Sequence, residues 1–251
     1  MVINSVTGPF VSTQVIRASL KFAVAQKKIA VNPALNVVCP TFTEEDRDLP
    51  SEEEIKAIFA AMRGTRFYLP AVVSSLTTLR RGELFALCWS EIDFKEEGAK
   101  IRRTLSPSKK GLLWDTPKTK GSRRIVAMPS SLMPLLAEHK TQQEIQKAAL
   151  GEFYNDNDLV FCREDGRPIN PSTFSKAFGD FRKRMKLPHM RLHDFRHLSV
   201  DTLYETENDP KTIMMQAGHT TIGTSLRYNH PTFKRQKNAV EKADSKLKDL
   251  R

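Results

Sequence analysis

Between Lys100 and Met128 the apolar rhythm of this chain changes, and that change does most to limit the folds open to it. Before it, apolar side chains recur at helical spacing: Ser51 and Glu54 have the spacing of a capping box, and Ile55, Ile58, Phe59 and Met62 follow on one helical face. Within it, Lys100 to Thr104, Gly111 to Thr116 and Arg123 to Met128 are short β-branched and aliphatic pieces bounded by Pro, Gly and Ser, the pattern of antiparallel strands. After Pro129 the helical period returns. The pattern predicts helices over residues 11–29, from Ser51, over 66–79, from about Arg81, and over 131–150, 171–185, 193–204 and 210–217, with a last one from Pro231 to the C-terminus. Leu84, Leu87 and Cys88 are expected on a buried face, and Gly218 stands where a helix C-cap places glycine. The expected fold class is mainly α with a small antiparallel β-sheet of three strands, an α+β chain.

An acidic, proline-containing stretch from Thr43 to Pro50 divides the chain. Its like charges repel one another and Pro50 keeps the preceding residue out of a helix, so it reads as a linker with a boundary near residue 46. Residues 1–46 are too few to hold a core of their own and look like the end of a domain or an arm that packs on something else. Residues 47–251 are long enough for a full domain.

Charge points to the partner. The chain carries 40 Lys and Arg against 29 Asp and Glu, a formal net charge of +11 over 251 residues, which favours a polyanion, with nucleic acid ahead of an acidic membrane surface. Residues 99–124 hold nine basic side chains (Lys100, Arg102, Arg103, Lys109, Lys110, Lys118, Lys120, Arg123 and Arg124) against Asp115 alone. Cys39, Cys88 and Cys162 are widely spaced and odd in number, which suits reduced core thiols better than disulfides or a zinc knuckle. No apolar run is long enough to cross a bilayer and no charged-then-apolar leader opens the sequence, so a cytoplasmic protein without a membrane partner is expected.

Four polar segments carry residue types that handle a phosphodiester. Arg80 lies between an apolar helix end and Gly82, with Glu83 three residues on to brace its guanidinium. His193, Arg196 and His197 share one helical face. The His193/His197 pair has metal-ligand spacing, but no Glu follows the first His and an arginine is a poor neighbour for a cation, so no metal is expected. The other two segments are Ala217-Gly218-His219 and Thr224 to His230, which contains Tyr228 nine residues after His219. Taken singly, each also reads as structural: a helix junction, a capped helix end, a half-buried tyrosine.

In this order and spacing the segments, with the basic Lys118-Thr119-Lys120 between them, resemble the tyrosine recombinase, or phage-type integrase, family over residues 47 to 230. Phe22-Ala23-Val24-Ala25 and Asn32-Pro33-Ala34 are similar to the last helix and exit of that family's core-binding domain, which makes residues 1–46 its C-terminal remnant and 47–251 the catalytic domain. The resemblance implies strand exchange through a covalent DNA 3′-phosphotyrosine, integrating or excising a mobile element. Tyr228 would be the nucleophile, Arg80 and Arg196 the clamp on the non-bridging oxygens, His193 an aid to proton transfer and His219 a hydrogen-bond donor to the phosphate. A hairpin lysine would protonate the leaving 5′-oxygen; Lys118 fits the family position better and Lys120 is the alternative. Glu83 and His197 would brace the reacting groups, and Arg102, Arg103, Lys109, Lys110, Lys120, Arg123 and Arg124 would contact DNA. The resemblance also implies no metal or other cofactor, a double-stranded DNA partner, a tetramer assembled on DNA through a basic tail from about residue 231, and a nucleoid-associated bacterial location. It leaves room for accessory DNA-bending proteins. Thr78 stands where glycine commonly precedes Leu-Arg, Ala217 replaces the usual leucine, and Phe195 stands where leucine is commoner; all three are packing positions. Two rivals share much of the pattern. A type IB topoisomerase would use the same residues without a partner site, and a non-catalytic DNA-binding protein would need only the charge.

Overall fold

A computed structural model describes residues 7–37, 49–109, 111–115, 124–206 and 209–218. The chain divides into two compact units, Met1–Asp48 and Leu49–Arg251. In the first, helix α1 (Thr7–Ala25) ends where Lys27 takes a left-handed conformation, φ +54°, four residues short of the expected end at residue 29. The segment after it folds back on the helix: Arg17 Nε donates to the Ala34 carbonyl at 2.8 Å, and Asn32 Nδ2 donates to the Arg17 carbonyl at 3.0 Å.

The second unit is mainly helical with small antiparallel sheets. Helix α2 (Glu52–Met62) starts from the expected capping box: the Ser51 N–H donates to Glu54 Oε2 at 2.8 Å and the Glu54 N–H to Ser51 Oγ at 3.3 Å. Helix α3 (Tyr68–Thr77) follows, then a single turn, α4 (Arg81–Leu84), where a full helix was expected. Leu84, Leu87 and Cys88 are buried as anticipated.

The expected single sheet is in fact two. Strands β1 (Ile92–Asp93), β2 (Gly98–Ile101) and β5 (Arg124–Ala127) form one, in the order β1-β2-β5. Strands β3 (Thr104–Ser108) and β4 (Gly111–Asp115) form a separate hairpin. The break falls at Arg102-Arg103, inside what read as one strand. Arg103 is anchored there, its Nη2 donating to Cys88 Sγ at 2.9 Å and its guanidinium lying 5.8 Å from the Trp114 ring centre.

Helices α5 (Met133–Leu150), α6 (Pro171–Arg184), α7 (Asp194–Thr206) and α8 (Pro210–Ala217) complete the unit. The core is rich in phenylalanine. Phe67 meets Phe174, Phe178 and Phe181 at 5.1–5.7 Å between ring centres, and Phe195 meets Phe59 at 5.3 Å and Phe178 at 5.8 Å, mostly in the edge-on geometry that aromatic quadrupoles favour. This knot ties α2 and the start of α3 to α6 and α7. A smaller cluster of Val200, Tyr204, Ile213 and Ala217 joins α7 to α8. Cys88 is a buried thiol, but Cys162 is only half-buried, within 2.8 Å of Gln143 Nε2; Cys39 lies outside the described residues. No described helix is long and apolar enough to cross a membrane.

Candidate active site

Three of the polar side chains follow directly on an apolar neighbour that the core takes in. Leu79 precedes Arg80, Leu192 precedes His193 and Phe195 precedes Arg196; all three of these neighbours are buried. Burial of the neighbour fixes the backbone, and the backbone aims the functional side chain.

Thr78 caps α3 in the left-handed region, φ +57° and ψ 18°, turning the chain so that Arg80 is extended at the start of α4. A β-branched residue disfavours that conformation, and here its hydroxyl compensates by donating to the Gln216 carbonyl at 2.8 Å. Gly82 is needed for a different reason. A Cβ there would stand 2.8 Å from the Leu105 carbonyl oxygen, so α4 rests on β3 only because position 82 has no side chain.

Glu83, 4% exposed, is the hub. Its carboxylate accepts four hydrogen bonds: from the Arg80 N–H (2.9 Å), Arg80 Nη1 (2.9 Å), Arg124 Nη1 (3.0 Å) and Arg124 Nη2 (2.9 Å). Burial would push this carboxyl up, but the hydrogen bonds and charge of Arg124, and then those of Arg80, outweigh it and hold the group below its ordinary range.

Two arginines converge on the end of α8. Arg80 Nη2 donates to the Gly218 carbonyl at 2.5 Å. Arg196, 3% exposed, donates from Nη2 to the Ala217 carbonyl at 2.7 Å and from Nη1 to the Thr78 carbonyl. Terminal carbonyls lack partners within their own helix, and the helix dipole places partial negative charge there, so cations are favoured. Gln216 pins that end to β5: its Nε2 donates to the Ala127 carbonyl at 2.8 Å and its Oε1 accepts from the Ala127 N–H at 3.0 Å.

His193, at the entrance to α7, sits edge-on to His197 with ring centres 4.7 Å apart. Although the residue as a whole is exposed, burial of part of it, then the His197 and Arg196 charges, push it down to about 4, so it is neutral at pH 7 and able to accept a proton. Arg81 points away and donates to Ser175 Oγ at 3.1 Å.

The structure therefore brings Arg80, Glu83, Arg196, His193 and His197 into one region. Lys110, Lys118, Lys120, Arg123, His219 and Tyr228 lie outside the described residues. Arg102 and Lys109 are exposed, as a DNA-facing role requires. With Lys100 and the half-buried Arg103, Arg102 lines an open cleft of about 850 Å³. Arg124 departs from the expectation. Its side chain is 6% exposed and paired with Glu83, so it borders that cleft as a largely buried cation where an exposed one was expected. Its position in β5 explains this: strand alternation places residue 124 on the same face as the fully buried Val126 and opposite the exposed Ile125. The parity was available in the sequence, but two adjacent aliphatics at 125 and 126 hid which face was inward. Gln216 carried no sequence signal of its own, because its partner Ala127 lies 89 residues away along the chain.

A mainly helical unit with paired arginines seated on one helix end and a histidine-bearing helix beside them has the fold of a tyrosine recombinase catalytic domain. The model of the phage integrase family matches residues 50–235, and the chain belongs to that family. It is 33% identical over 245 residues to a "Tyrosine recombinase XerC-like" protein of Caldanaerobacter subterraneus, covering 90% of this chain and 63% of that one. It is 30% identical over 228 residues to the ICEBs1 integrase of Bacillus subtilis, covering 90% and 62%. The chain thus spans about three fifths of the length of these relatives. Among solved structures, the Tn1549 transposon integrase in complex with a circular intermediate DNA shares the fold, with a TM-score of 0.76 at 18% identity, covering 92% of this chain and 78% of that one.

Proposed function

We propose that this chain is the catalytic part of a site-specific DNA recombinase that integrates or excises a mobile element. The observation that carries this reading is the convergence of Arg80 and Arg196 on the adjacent carbonyls of Gly218 and Ala217. Arg196 is held by carbonyls alone, those of Thr78 and Ala217, so its charge is not cancelled by a carboxylate in those bonds, and that positive charge suits a bound phosphodiester. His219 follows Gly218 directly in the sequence and Tyr228 comes nine residues later.

In the proposed reaction the Tyr228 phenol, of ordinary pKa about 10, loses its proton as its oxygen attacks phosphorus. Neutral His193 is the acceptor of that proton. The bond from phosphorus to the 5′-oxygen breaks, and Lys118, or Lys120 in the alternative, gives that oxygen a proton. Arg80, Arg196 and His219 stabilise the charge that builds on the non-bridging oxygens. Attack by a 5′-hydroxyl on the phosphotyrosine reverses the sequence and rejoins a strand, so the bond energy is kept throughout. Lys100, Arg102, Arg103 and Lys109 hold the duplex backbone. Residues 1–46 end a core-binding domain, and residues from about 231 join protomers into a tetramer on DNA. The setting is the bacterial cytoplasm, at the nucleoid, with accessory DNA-bending proteins as further partners. DNA as substrate is supported by the family and by relatives named integrases.

The test is covalent trapping on nicked duplexes from the ends of the parent element, without metal or ATP. A denaturation-resistant protein–DNA band is expected, lost in Tyr228→Phe while duplex binding persists. A band that survives Tyr228→Phe moves the nucleophile to another tyrosine. Relaxation of supercoils without joining of two sites would favour a type IB topoisomerase, and no band on any bound duplex, even with a chain extended to the length of its relatives, would favour a binding protein. Lys118→Ala should cripple cleavage unless the leaving oxygen is made more acidic; the same behaviour in Lys120→Ala alone reverses the choice of lysine.

A further inference from the structure

The buried pair of Arg124 and Glu83 is not used by any step of that reaction. Arg80 alone would satisfy the Glu83 charge, yet Arg124 bonds to both of its oxygens. Arg124 also reaches α8: its Nε donates to the Gln216 carbonyl at 3.0 Å. A Cβ on Gly218, which holds φ +64°, would stand 2.8 Å from the Arg124 guanidinium carbon, so that glycine leaves room for it.

The charges give this arrangement a purpose. A buried carboxylate facing only Arg80 would form a neutral pair with it, and the pull of Arg80 on an outside anion would be largely cancelled. With Arg124 on the same carboxylate, the three groups carry one net positive charge. Arg124 is inward and satisfied, whereas the Arg80 side chain is 39% exposed. The surplus therefore appears on Arg80.

We propose that Arg124 is a positioning residue for strand cleavage: it neutralises Glu83 so that the charge of Arg80 is free for the scissile phosphate, and it ties Arg80 to the last turn of α8. This inference rests on the recombinase reading. It predicts a reversal that a packing role does not. Arg124→Met should slow single-turnover cleavage of a saturated duplex by about a hundredfold, as removal of a charge-stabilising donor does, with duplex affinity little changed. Adding Glu83→Gln removes the uncompensated carboxylate and should recover at least about tenfold of that loss. Arg124→Lys, which keeps the charge without the planar fork, should fall between wild type and Arg124→Met. Where the Met variant fails to fold, Arg124→Gln takes its place.

Cleavage within twofold of wild type in Arg124→Met, or a double variant no faster than the single, overturns the inference. So does a drop of about one in the slope of log affinity against log salt, which would make Arg124 a phosphate contact. If neither this chain nor a longer one forms an adduct, the recombinase reading fails, and the effect of Arg124 on Arg80 is read from arginine side-chain NMR instead. The Arg80 guanidinium signals should move in Arg124→Met and return towards their wild-type positions with Glu83→Gln, and unmoved signals refute it.

Discussion

Thr78 and His193 each hold a state that their residue types disfavour, and both states are tied to the site. Thr78→Gly should relieve left-handed strain of about 1 kcal/mol while losing the hydroxyl bond to Gln216, worth about 1 kcal/mol, so urea unfolding should change little. Thr78→Val keeps the strain and loses the bond, and should destabilise by about 1–2 kcal/mol. His193, pushed down to about 4 from an ordinary 6.5, takes up a proton less readily folded than unfolded. Its contribution to stability is therefore intact above about pH 6.5 and lost progressively as pH falls towards 4. Melting temperatures at pH 7 and pH 4.5 should differ more in wild type than in His193→Gln, by less than full linkage predicts because part of the ring is solvated. The positions of Arg80, His193 and Arg196 were legible in the sequence because each lies beside a strongly apolar residue that fixes its direction. Arg124 was legible as a charge but its burial was not, since charge alone does not tell which face of a strand is inward.

Helix α4 and strand β3 show how much a single turn can depend on its neighbour. Gly82→Ala drives a methyl towards the Leu105 carbonyl, a backbone atom that cannot swing away, and should destabilise by about 2 kcal/mol or more. Gly179→Ala in α6 meets nothing within 4 Å and should stabilise by about 0.5–1 kcal/mol; thermal melts of the two variants should move in opposite directions. Most helices could be read in advance, because the 3.6-residue period and the caps at Ser51, Asn170 and Asp209 are local signals. The division of the strands into two sheets could not. The break falls where Arg103 meets Cys88, 15 residues back along the chain, and the clasp of α8 on the arginines rests on pairings more than 100 residues apart, such as Arg196 with Thr78 and Thr78 with Gln216. Spacing along the chain carries no record of such contacts.

Across the whole molecule the dominant property is its surplus of positive charge, +11. Each phosphate neutralised releases counterions, so duplex affinity should fall steeply and linearly in log salt. Lys100→Glu with Arg102→Glu, on the open cleft, should flatten that slope by about two while leaving the melting temperature nearly unchanged, because both side chains are exposed. An unchanged slope would move the duplex to another face. The grip of α8 on Arg80 and Arg196 has a further consequence for how such a chain can vary over time. Because the oxygens of residues 217 and 218 belong to the main chain, exchanging side chains on the outward face of α8 leaves them in place. A change in its length does not. One residue inserted into or deleted from α8 would swing those oxygens by about 100° and slide them by about 1.5 Å, releasing both guanidiniums at once. Lineages of this protein should therefore drift freely in the outward-facing spelling of that helix and hardly at all in its number of residues.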